Sequence, residues 1–170
     1  MTTNENHSHA TSEYTAEHTP RLQWAQHAPD VYKAMARFDA AARKGLDPVV
    51  DELVKIRASQ INHCAFCIDM HTKDALAAGE SVERIVQLSA WEEAQHFYTP
   101  KEIAAIELTE AITVMTDGFV PDAAYEKAAK HFDETELTHL IAAIVAINSW
   151  NRFAVSTRMV AGHYTPGDHR

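Results

Sequence analysis

The sequence has no block of lysines and arginines, no long apolar run and almost no cysteine, and each shortage removes a class of protein. Fifteen basic side chains stand against twenty-four acidic ones, a formal charge of -9. Without a basic cluster there is no surface for nucleic acid. No segment approaches the ~20 consecutive apolar residues of a membrane span. The first twenty residues, MTTNENHSHATSEYTAEHTP, lack a basic start followed by an apolar block, so 1–20 read as a polar, flexible arm and not as a secretory signal. The expectation is a cytoplasmic protein that engages neither membrane nor nucleic acid. Two cysteines are too few, and too close, for a stapled secreted domain. In a reducing compartment such a pair is more often catalytic or metal-binding. Five glycines and no period-two alternation leave nothing like a strand series.

What is present is a chain of helix signals. At 46% hydrophobic, 170 residues suffice for one domain with a real core. Asp47 caps and Pro48 opens one helix. Thr99, Pro100 and Glu102 form a capping box for another, with an apolar stripe of Ala104, Leu108, Ala111, Ile112 and Met115. Asp133 and Glu136 repeat the box. Gly45 and Gly79 stand where helix C-termini want a left-handed residue. The reading is all-α, with helices near 29–44, 48–61, 64–78, 82–95, 100–116, 121–132 and 134–160. One helical domain spans 21–162, followed by a tail at 163–170. From Leu137 to Ile147 the last helix is apolar on nearly every side, which asks for burial all round. A second subunit would supply it, and a homo-oligomer is expected; the central helix of a monomeric bundle is the alternative.

The stretch NHCAFCIDMH holds both cysteines. At about 100° per residue, Cys67 lies roughly 60° from Cys64 around a helix axis and His71 falls between them at roughly 20°. Asn62 reads as the cap, which places both thiols in the first turns, where free N–H groups favour a thiolate. If 48–61 and 64–78 pair antiparallel about residue 62, Glu52 lies ten residues before the turn and His71 nine after it. Those offsets match, so a carboxylate, an imidazole and two thiols would lie in one line. Such an arrangement can pass protons.

Glu52, Ser59, Cys64, Cys67 and His71 follow the spacing E-x6-S-x4-C-x2-C-x3-H. In this the chain resembles the alkylhydroperoxidase D-like proteins of the carboxymuconolactone decarboxylase superfamily, as it does in LSAWEEA and AINSWNRFAV. The likeness covers roughly residues 20 to 160. It implies an all-helical fold, a trimer or hexamer, and reduction of hydrogen peroxide or organic hydroperoxides through a cysteine pair that cycles between dithiol and disulfide. It also implies re-reduction by a dithiol-carrying protein, lipoylated or thioredoxin-like, with no cofactor. The best-known peroxidase member has a histidine beside its second cysteine; here the intervening residues are Ala65 and Phe66. Phe66 cannot move a proton, which leaves Glu52 and His71 for that task.

Family resemblance, and His71 one turn beyond Cys67, assign Cys67 as the attacking sulfur and Cys64 as the resolving one. The helix dipole argues for the reverse. Zinc on Cys64, Cys67 and His71 is a further reading, although a structural site wants four ligands and no second CxxC or HxxxH exists. A buried structural pair, a non-catalytic redox-sensing oligomer and a decarboxylase-like enzyme complete the alternatives. Ser59 is expected to pack between helices, and Asn148 and Arg152, four apart on one face, are read as structural. Trp24 and Trp91 are read as core or interface, and His7, His9 and His169 as solvated.

Overall fold

The computed structural model describes residues 19–168. Most of the arm at 1–20, with His7 and His9, and also His169, lies outside the described residues. Among the described residues there are eight α-helices and no strand. They are α1 Trp24–His27, α2 Pro29–Ala42, α3 Pro48–Ile61, α4 Ala65–Ala77, α5 Val82–Gln87, α6 Pro100–Thr113, α7 Asp122–Ala129 and α8 Glu134–Thr157. Also among the described residues, no helix is long and apolar enough to cross a membrane.

Local chemistry sets most of the starts. The Asp47 carboxylate accepts the Val49 N–H at 2.8 Å, and Pro48 follows at the first helical position. Both capping boxes close, Thr99 with Glu102 and Asp133 with Glu136. Gly79 ends its helix left-handed at φ 96°.

Gly45 serves a different purpose from the one expected. It is not left-handed. A Cβ there would stand 2.1 Å from His139 Cδ2, on a ring whose Nδ1–H donates to the Ala42 carbonyl at 2.8 Å. The glycine lets α8 approach the turn after α2. Gly45→Ala is therefore expected to cost about 1–3 kcal/mol through overpacking, read as a lower urea midpoint at unchanged slope.

The stretch 82–95 is not one helix. After α5 the chain tightens into a 3-10 turn at Leu88–Ala90 and another at Gln95–Phe97. Buried Ile85, Leu88, Trp91 and Ala94 recur every third residue. Three residues per turn keeps such positions on one face, whereas an α-helix would rotate them apart. The short α1 was not expected. Its Trp24 stacks on Phe153 at 4.1 Å, an anchorage supplied by α8 and not by local sequence.

α3 is the central helix, packing against α4, α6 and α8. One apolar cluster joins it to α6, α7 and α8 through Val50, Val54, Leu108, Ala128, Leu140 and Ile144. A second joins it to α4, α5 and α6 through Leu53, Ile56, Ala75, Ile85, Trp91 and Ile106. Of the stripe expected on α6, Ala104 and Leu108 are buried, but Met115 lies beyond the helix and is exposed. Leu137, Leu140, Ala143, Ile144, Ala146 and Ile147 of α8 are buried by this chain's own helices, while Val145 and Val155 stay exposed. The apolar girth of α8 does not by itself require a second subunit.

Candidate active site

The turn between α3 and α4 brings the cysteines into the interior. Asn62 closes α3, His63 reverses the chain at φ 51°, and Cys64 becomes the N-cap of α4. Asn62 was expected to be that cap. Its amide instead donates 2.9 Å hydrogen bonds to Asn148 Oδ1 and Asn151 Oδ1 of α8, because α8 runs directly behind the turn. Cys64 and Cys67 are free thiols, each 1% exposed, in a third apolar cluster with Ala58, Ile147 and Ala154. Phe66 packs on that cluster.

As N-cap, the Cys64 sulfur accepts the Cys67 backbone N–H at 3.4 Å. A hydrogen bond from the Cys67 side chain outweighs burial and, with that N–H and Asn151, brings the Cys64 thiol down from 9.0 to about 7. The same bond, burial and the neighbouring charge push Cys67 up. The two opposite shifts favour Cys64 as the first of the pair to ionise. A thiolate there would stand at the N-terminal end of α4, which favours negative charge.

One and two turns further along α4, the other half of the site is built. Glu52 and His71 face each other across α3 and α4, with His71 Nδ1 2.9 Å from Glu52 Oε2. Both are largely enclosed, 8% and 7% exposed. Burial alone would raise the Glu52 carboxyl, but the His71 hydrogen bond and charge, with Lys55 and Arg43, hold it below its ordinary 4.5. An ionised Glu52 fixes His71 as the tautomer with a proton on Nδ1, leaving Nε2 to take or give one. Among the described residues, the ring hydrogen-bonds to neither sulfur.

A polar lattice supports the thiols. Ser59 is fully buried and donates to the Lys55 carbonyl, while Asn151 Nδ2 donates to Ser59 Oγ at 3.0 Å. Arg152 donates to Asn148 Oδ1 at 3.0 Å, and Asn148 donates to Thr113, so these residues tie α8 to itself and to α6. Asn151 was not singled out as a partner of the sulfurs. It acts on both thiols from 84 residues beyond Cys67 in the chain, and no local spacing signals that. Trp24 and Trp91 are core residues, 5% and 3% exposed.

The C-terminal segment docks beside His71. Gly162 N–H donates to Asp69, Lys73 donates to the Tyr164 carbonyl at 3.0 Å, and the Tyr164 hydroxyl donates to Asp74 at 2.8 Å. Metal-capable atoms of Glu52, His71 and Asp74 lie within 4.8 Å of one another. This grouping contains no sulfur, so the expected zinc alternative of Cys64, Cys67 and His71 is not the set the fold gathers. Each of its carboxylates already has a donor, and the Arg43 guanidinium beside Glu52 opposes a cation. Two cavities adjoin the site. One of about 150 Å³ is lined by His63, Cys64, Phe66, Ala154 and Met159. The other, about 530 Å³, is a groove bordered by Glu52.

An all-helical chain with this cysteine turn and Glu–His pair defines a class, and comparison with known proteins places it. The chain belongs to the carboxymuconolactone decarboxylase family, whose model matches residues 29–111, as an alkylhydroperoxidase D-like member. It is 42% identical over 137 residues, 80% of this chain and 92% of the relative, to the uncharacterized protein YdfG of Bacillus subtilis. It is 31% identical over 135 residues, 78% of this chain and 73% of the relative, to the uncharacterized protein YnjA of Escherichia coli. A solved structure from Agrobacterium tumefaciens, a protein of unknown function described as a candidate antioxidant-defence protein AhpD, superposes with TM-score 0.82 at 35% identity, over 86% of this chain and all of that one. The AhpD core of a peroxidase-related protein from Ralstonia eutropha shares the fold, with TM-score 0.71 at 18% identity over 85% of this chain and 78% of that one.

Proposed function

We propose that the protein is a thiol-dependent peroxidase in which Cys64 and Cys67 cycle between dithiol and disulfide and the Glu52–His71 pair moves protons. The observation that carries this reading is the buried pair of free thiols at the start of α4, the Cys64 sulfur accepting the Cys67 N–H, one to two turns from a buried imidazole paired to a carboxylate. The Cys64 thiolate attacks the peroxide O–O bond. Sulfur takes one oxygen as a sulfenic acid, and the other leaves as alkoxide or hydroxide and receives a proton from the His71–Glu52 pair. The Cys67 thiol then displaces water from the sulfenic acid and forms the disulfide. A dithiol-carrying protein returns both electrons and both protons. This order, Cys64 before Cys67, is the one the hydrogen bonding favours; proximity of His71 to Cys67 favours the reverse.

A cavity of about 150 Å³ beside Cys64 has room for hydrogen peroxide or a short alkyl hydroperoxide. A homo-oligomer working in the cytoplasm, the exposed valines of α8 within its interface, belongs to the same reading. The test is peroxide consumption with an added dithiol, run beside the Cys64→Ser/Cys67→Ser double variant. Sustained consumption by the wild type alone supports the proposal. Equal rates overturn it and leave the pair as a redox switch or the chain as a decarboxylase.

A further inference from the structure

Glu52 is one end of a chain of charges. Its Oε1 lies 3.4 Å from Arg43 Nη2, while Oε2 holds His71 at 2.9 Å. The same Arg43 nitrogen is 3.2 Å from Asp51 Oδ2, an oxygen shared with Lys55 Nζ at 3.0 Å. Lys55 also reaches Asp39 Oδ1 at 3.3 Å. The chain runs from α2, through the turn after it and along α3, to His71 on α4.

Asp51 and Lys55 are each 1% exposed. Enclosing such charges is costly, and apolar side chains of similar volume would fill the space at lower cost. Their placement has a consequence for the site. Three carboxylates and two permanent cations leave one negative charge over, and it lies against His71. A proton on the imidazole neutralises the cluster.

We infer that Arg43, anchored through Asp51 and Lys55, is a positioning residue for the Glu52–His71 pair: it holds one Glu52 oxygen so that the other stays on His71 Nδ1. This rests on the reading that His71 handles the proton of peroxide reduction. Burial favours a neutral carboxylic acid. Without Arg43 the shared proton would move toward Glu52, and a neutral Glu52–His71 pair would replace the ion pair. The ring would then keep its hydrogen on Nε2 as a neutral imidazole, a far weaker acid toward a leaving oxygen than an imidazolium.

The other groups near Glu52 are committed elsewhere. Asp74 on α4 accepts the Tyr164 hydroxyl. In the groove that Glu52 borders, Arg84 pairs with Glu80 and Glu102, Lys101 pairs with Glu136, and Asp47 caps α3. The His71 hydrogen bond and charge lower the Glu52 carboxyl most, followed by Lys55 and then Arg43.

Arg43 is 41% exposed at its side chain, so the fold is expected to tolerate its replacement, and solvent screens its effect. The experiment follows the Glu52 carboxyl carbon by NMR in the full-length protein, assigned by its absence in Glu52→Gln. Arg43→Gln is expected to move the Glu52 titration midpoint upward. Arg43→Lys is expected to return it most of the way. The acid limb of peroxide turnover should move upward with the midpoint. Arg43→Met keeps the stem without the charge, carries the same expectation as Gln, and serves if the Gln variant does not fold. An unmoved midpoint in a folded neutral variant, or a Lys variant displaced as far as the neutral ones, overturns the inference. The titration needs no turnover, so failure of the peroxidase reading and failure of this one are separate results.

Discussion

Cys67→Ser is expected to abolish catalytic peroxide turnover and to accumulate one sulfenic acid, on Cys64, captured by a dimedone-type probe and located by peptide mass. Cys64 keeps its N-cap position in that variant, the backbone N–H of residue 67 still points at its sulfur, and the serine hydroxyl can donate in place of the lost resolving thiol. Cys64→Ser should lose turnover without trapping the acid. Of the influences that push Cys67 up, the Cys64 hydrogen bond and charge are lost in that variant, but burial remains. Label on Cys67 in Cys64→Ser, with none on Cys64 in Cys67→Ser, would reverse the order of attack and restore the assignment drawn from His71. Retention of turnover in either single variant would remove the dithiol cycle altogether.

The second large effect is expected from Glu52→Gln, a loss of roughly 10²-fold or more in turnover with fold and thiol pair intact. Lowering a thiol from 9.0 to about 7 raises the thiolate fraction at pH 7 by roughly fiftyfold. A Brønsted slope near 0.45 takes back about eightfold through weaker intrinsic nucleophilicity, so the net gain is only about sixfold. Proton delivery to the leaving oxygen must supply the rest. Glutamine preserves the shape and can still accept the His71 Nδ1–H, but it carries no charge to stabilise the imidazolium. Full turnover in the variant would make the carboxylate a structural residue.

The same substitution has a signature in stability. The Glu52 carboxyl lies below its ordinary 4.5 in the fold, so its stabilising contribution is complete above that value and is lost as pH falls through the folded one. Glu52→Gln should therefore flatten the acid limb of a urea-midpoint profile below about pH 4.5.

Much of the fold and part of the site were legible along the chain because they obey local rules. Caps at Asp47, Thr99 and Asp133 depend on residues one to three apart, and the structure closes all three. The facing of Glu52 and His71 needed only two helices, a turn and a fixed rise per residue. Where a residue's partner lies far off in sequence, those rules are silent. Asn62 is a good cap in isolation, yet α8 claims its amide. Gly45 resembles a left-handed stop until the His139 ring is set against it. The 3-10 turns after α5 answer to the buried indole of Trp91, whose N–H donates to Glu110 at 2.6 Å. Asp51 and Lys55, four apart, look like an ordinary solvated helix pair. Their burial, and the link through Arg43 to Glu52, exist only because α2 and α3 bring opposite charges together inside the protein. Helix periodicity and capping chemistry act over one or two turns and are written in the sequence; the environment that decides a charge's partner is assembled from distant segments, so only the tertiary structure could decide it.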